Sequence, residues 1–199
     1  MLDDPAGFWQ RMEEMPSIRK PDPPAAIAAI RNVWSRLAAP YRVVRRVSGE
    51  GSLGHPRFVA IAQFHGGQVA FEAKEASPSA CVWAANGKGS MRIHYQEVMD
   101  HAVRCPDPYV QLRDKWLVRR LAPDSAAIEI EALPKERSEE RLLHAMGWEA
   151  ANVHLGTKTA IEAIRRDLAQ RSAGWLCSNT RAMVKATLKD WKDWKKEGV

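Results

Sequence analysis

Cysteine is scarce in this chain. Cys81, Cys105 and Cys177 are its only three, widely spaced and odd in number. There is no C-x-x-C pair and no cysteine–histidine cluster, so neither a disulfide framework nor a zinc site is indicated. Long apolar runs are also lacking, and nothing after Met1 reads as a charged-then-apolar leader, so a reducing cytoplasm and no membrane are the expectation. Charged residues make up 27% of the chain, which excludes global disorder. What remains is 199 residues, 45% of them hydrophobic, enough for one domain with a core or two small lobes. The net charge of +6 suits a phosphorylated ligand or nucleic acid, but is also common on soluble domains with neither.

The most informative segment is Gly49-Glu50-Gly51-Ser52-Leu53-Gly54. G-x-G-x-x-G belongs to two phosphate-binding designs. In one the glycines open a helix that faces a dinucleotide pyrophosphate. In the other, that of the protein kinases, they turn between antiparallel strands over the nucleotide phosphates. Here His55-Pro56 leads into the apolar run 57–64, a His65-Gly66-Gly67 turn and the second run 68–74. Strand, turn, strand favours the kinase-like design.

Helices are expected over 4–15 and over 22–37, the second opened by Asp22 and Pro23 and stopped by Pro40. Tyr41 to Val47 reads as a strand leading into the glycines. A loop rich in small residues, 76–89, precedes a helix over 91–103 capped by Ser90. Strands follow over 109–112 and 115–121 around a turn at Arg113-Asp114, with one more short strand over 127–133. Helices are expected over 138–155, 159–170 and 176–196. Strands followed by a run of helices indicate an α+β chain: an antiparallel sheet with an inserted helix, flanked by helices on both sides.

The kinase-like design needs a phosphate loop, a lysine, a carboxylate that orients the lysine, and metal ligands with a catalytic aspartate. Gly49, Gly51 and Gly54 permit close backbone approach and Ser52 adds a hydroxyl donor. Lys74, near the end of its strand, could reach the phosphates, or be an ordinary exposed strand lysine. Glu97, in the inserted helix, is the candidate partner for Lys74, or a solvated helix-face carboxylate. Glu75 should point to the opposite face from Lys74. The fourth part is missing: Asp167, Asp190 and Asp193 do not sit in a strand–loop–strand context suited to magnesium.

Arg45 to Phe58, with Arg45-Arg46-Val47-Ser48 leading into the glycines, resembles the signature of a bacterial family, domain of unknown function 2252. So do Glu72 to Ala80, Arg104 to Tyr109, Trp116 to Ser125 and Met146 to Gly156, in order along the chain. That resemblance implies a fold like those of the protein kinases and aminoglycoside phosphotransferases. It implies that Gly49 to Gly54 form the phosphate loop, that Lys74 contacts the nucleotide, and that 138–155 is the helix preceding the catalytic loop. In the family an aspartate–histidine–asparagine loop and a metal motif lie upstream of the glycines, and neither pattern occurs here. A truncated or catalytically incomplete chain is therefore the expectation.

The expected organisation is N-terminal helices over 1–40, a kinase-like nucleotide-binding lobe over 41–133 and a helical region over 134–199. The expected function is binding of ATP, with magnesium, catalysis requiring groups from a second chain. The alternative is a non-catalytic interaction module, with a homo-oligomer supplying missing surface. The tail 185–196 mixes cations with aromatics, but Leu188 and Trp191 fit one face of a core-packing helix, so nucleic acid is not an expected partner. Trp148 and His154 are expected to pack in the core, and His65 to be a turn residue.

Overall fold

The computed structural model describes residues 5–18, 23–37, 40–47, 54–123 and 138–197. Contacts divide the chain into two compact units, Met1–Gly156 and Thr157–Val199. The first holds helices α1 (Pro5–Glu14) and α2 (Pro24–Val33), followed by strands β1 (Tyr41–Arg45), β2 (Arg57–Phe64) and β3 (Gly67–Glu75). Two short helices come next, α3 (Ala80–Ala84) and α4 (Tyr95–His101), then β4 (Gln111–Arg113), β5 (Trp116–Leu121) and α5 (Ser138–His154). The second unit is a 3-10 turn at Lys158–Ala160 with α6 (Ile161–Gln170) and α7 (Trp175–Lys196). None of the described helices is long and apolar enough to cross a membrane. Helices with an antiparallel sheet make this an α+β protein, as the sequence pattern indicates.

The five strands form one antiparallel sheet in the order β1-β2-β3-β5-β4. Two hairpins have two-residue turns that need positive φ. His65 (φ 50) and Gly66 (φ 81) join β2 to β3, and Asp114 (φ 52) opens the turn from β4 to β5.

Alternation along the strands gives the sheet two different faces. On one, Val43, Ala60, Ala62, Phe71, Ala73, Trp116 and Val118 pack against Ala26, Ile27, Ala29 and Ile30 of α2. Trp34 closes that layer by stacking on Phe71 at 4.7 Å. On the other face, Val44, Val59, Ile61, Ala70 and Leu121 pack against Met12 of α1, with Phe8 and Trp9 at the margin. Arg42 holds the end of α1 by donating to the carbonyls of Met12 (2.5 Å) and Met15 (2.6 Å), where a cation suits the helix dipole. At that end the second face is apolar and covered. At the other it carries the charged cluster described below.

Several expectations shift. The Ser90 hydroxyl does accept from the Arg92 amide, but that local turn spends itself before the helix, and α4 begins at Tyr95. The loop 76–89 contains α3, capped by Ser79, whose hydroxyl accepts from Cys81 N. The strand expected over 127–133 lies outside the described residues.

The helix α5 docks on the segment after α4 through Val103 N to Asn152 O (2.9 Å) and Arg104 to Glu149 (2.8 Å). Contrary to expectation, its Trp148 is 65% exposed and His154 is also exposed. The helical spacing is real, but among the described residues no second layer covers that side. Nor is any residue of α7 buried, and Leu188 and Trp191 are each half-exposed. Two helices and one turn are too small a unit to enclose an apolar face.

Candidate functional site

The glycine run lies between β1 and β2, and these strands are antiparallel neighbours with Arg45 opposite Phe58. The Arg46 amide donates to the Arg57 carbonyl at 3.0 Å, which carries the pairing one residue further. Gly54 has φ 81, and Gly54 to Pro56 turn directly into β2. Gly49, Gly51 and Ser52 lie outside the described residues. The next described element after the glycines is strand β2, not a helix.

Register then sets up a row of charge. Arg46 sits beside Arg57, Arg57 opposite Lys74, and Lys74 opposite Leu117. Three cations thus stand side by side on one face, at the end of β1 and β2 that the glycine run joins. The adjacent row on the same face reads Val44, Val59, Glu72, Arg119. Glu72 is wholly buried. One of its oxygens accepts from Arg46 Nη1 (2.9 Å) and faces Arg57 Nη1 at 3.4 Å, and the other accepts from Arg119 Nε (2.9 Å). Arg57 is also buried, and its Nε has no hydrogen-bond partner among the described residues. Lys74 is half-buried, and its ammonium has no ion pair there either. Three arginines thus share one carboxylate, and Lys74 lies two residues along β3 on the same face.

The structure does not bring Glu97 to Lys74. On α4, the Glu97 carboxylate meets His94 Nδ1 at 2.9 Å and Arg92 at 3.3 Å. The hydrogen bond from His94, then the Arg92 charge, hold its pKa below the ordinary glutamate value. A lowered carboxylate pKa adds stability above the ordinary glutamate range, lost as pH falls through the lowered value. A side-chain NMR titration should find the Glu97 midpoint below those of other exposed glutamates, and His94→Ala should raise it. An unmoved midpoint in that variant would remove His94 as the cause.

Glu75 does point away from Lys74, and pairs with Lys115 (2.5 Å) on the other face. Arg119 reaches both ways. Besides contacting Glu72, it lines a cavity of about 570 Å³ with Tyr95, Met99, Asp100, Arg104 and Asp107. Among the described residues no group of three or more His, Cys, Asp or Glu side chains could hold a metal ion.

Glu72 is the residue that sequence reasoning passed over. A signal was present, since a carboxylate inside Val69-Ala70-Phe71-Glu72-Ala73 interrupts an apolar strand. A charge buried there must be paired.

No curated protein and no solved structure matches the chain. One family model does, over residues 36–197, which takes in the glycine run and every charged residue of the two rows. The chain therefore belongs to the family described as "Uncharacterized protein conserved in bacteria (DUF2252)".

Proposed function

We propose that the glycine run and the neighbouring cationic row bind the phosphates of a nucleotide, ATP with magnesium being the first candidate. The observation that carries this reading is the position of Lys74. Its ammonium has no partner among the described residues, and it stands opposite Arg57 on the strand next to the hairpin. Like charges directly opposite each other in a sheet are unfavourable unless something between them is negative. Backbone amides of Gly49, Gly51 and Gly54, with the Ser52 hydroxyl, would add further donors to the phosphates. The cavity lined by Arg119 offers room for the rest of the nucleotide. The inserted helix α4, between the third and fourth strands of an antiparallel sheet, supports the kinase-like comparison.

The proposal is for binding. In it Lys74 contacts phosphate directly, while Glu97 lies outside the contact and Glu72 fixes the surrounding arginines. Phosphoryl transfer would require an aspartate–asparagine loop and a metal-binding aspartate, to be supplied by a second chain.

Thermal unfolding tests the reading. A nucleotide present at a hundred times its Kd contributes about 2.7 kcal/mol, which is roughly 5–11 °C in Tm for a chain of this size. ATP with magnesium should give a rise of that order, and Lys74→Ala should abolish it. No rise for the unsubstituted protein would end the nucleotide reading.

The exposed side chains of α5 favour a second reading, an interaction module assembled as a homo-oligomer. Leu143 is 58%, Met146 56% and Trp148 65% exposed along that helix. This reading expects a concentration-dependent oligomer by sedimentation together with no nucleotide shift.

A further inference from the structure

Resting on the phosphate site proposed above, we infer that this site selects its ligand by polyphosphate charge rather than by nucleobase, so that inorganic tripolyphosphate occupies it as well as ATP does. Charge counting comes first. Arg46, Arg57 and Arg119 engage both oxygens of Glu72, the one carboxylate of the two rows, and Lys74 stands unpaired on the same face. Three positive charges are left in excess. Arg57 is the worst served of the three arginines. Its side chain is 7% exposed, its contact with Glu72 is long at 3.4 Å, and its Nε is buried without a partner. A buried donor in that state is costly, and an anion within reach would relieve it.

Geometry sets the size of that anion. The row Arg46, Arg57, Lys74 crosses two interstrand spacings, roughly 10 Å. One tetrahedral phosphate cannot touch both ends, whereas a chain of two or three linked phosphates can. Arg119 is 45% exposed and gives only its Nε to Glu72. The rest of its planar fork is free to take phosphate oxygens in pairs.

No strand residue comparably addresses a base on this face, and of the side chains lining the cavity beside Arg119 only Tyr95 is aromatic. The strand aromatics at this end, Phe58 and Trp116, share a register with Ala73 and Glu75 and so lie on the opposite face, with centroids 5.9 Å apart. The row's nearest uncharged neighbours are Val44, Val59 and Leu117, which offer no stacking surface and no donors for a base edge.

Calorimetric titration of the full chain, without magnesium and at fixed ionic strength, tests this with sodium tripolyphosphate, ATP and GTP as ligands. All three are expected to bind with similar Kd, and Arg119→Gln to weaken each by about tenfold or more, the loss of one charge-assisted contact. Lys74→Gln is the second variant and should weaken all three alike. Urea denaturation of both variants checks that they fold. If ATP binds and tripolyphosphate does not, the base matters, and this inference falls while the nucleotide reading stands. Binding of tripolyphosphate alone would end the nucleotide reading and overturn the inference with it, because the site would then reject a ligand that carries the same phosphate chain. An unchanged Kd in both folded variants would overturn the assignment of the row, and binding of neither ligand would overturn both readings.

Discussion

Replacing Glu72 by glutamine should cost the fold about 3–5 kcal/mol, the usual penalty for removing one partner of a buried ion pair. The residue is wholly buried, and its carboxylate is the group that holds Arg46, Arg57 and Arg119 together. Glutamine keeps the volume and one acceptor but none of the charge, and leaves three guanidiniums facing one another. Equilibrium urea denaturation measures the loss. A drop under about 1 kcal/mol would mean that solvent already screens the cluster, as it does for surface pairs. The reverse experiment is informative too. Substituting Glu72→Leu and Arg57→Met together removes the buried charge from both sides, and should recover a large part of the loss. Recovery would separate the need for neutrality at this place from the need for this carboxylate.

Gly156→Ala should be the second severe change, for steric reasons. A Cβ at Gly156 would lie 2.7 Å from the His101 carbonyl oxygen and 2.9 Å from its carbon. These are backbone atoms at the end of α4, so no side-chain rotation relieves the overlap. The end of α5 would have to lift, straining the Val103–Asn152 hydrogen bond beside it. Overpacking of this kind costs about 1–3 kcal/mol. Urea denaturation gives the magnitude, and faster amide exchange at Val103 would locate the damage. Unaltered stability with unaltered exchange would show that the two helix ends separate freely.

What the sequence made legible was local. Alternating apolar residues from Arg57 to Phe64, the His65-Gly66 turn and the second run to Glu75 announce a hairpin within some twenty residues. The absence of a helix start after Gly54 follows from the β-branched and aromatic run 57–64 that comes next. Glu72 was hidden for the opposite reason: its three arginines lie 26, 15 and 47 residues away. Only register assembles them, and register is a property of paired strands. Lys74 was found from its strand position, whereas its neighbour across the sheet, Arg57, read as an ordinary strand start. The α5 and α7 misjudgements have another cause. Helical spacing at Met146 and Trp148, or at Leu188 and Trp191, marks an apolar stripe but does not say what lies against it.

Both outer strands of the sheet have an outward-facing backbone group already engaged. On β1, the Val43 carbonyl accepts from Ile18 N, where Ser17 forms a bridge with Val44. On β4, only three residues long, the Leu112 amide donates to the Gln96 side chain. An incoming strand would find a competitor at each border, so lateral growth of the ladder into stacks or fibres is blocked at both ends. A companion that lengthened the sheet would first have to displace these contacts, whereas one that met the protein through a helix or the charged rows would not.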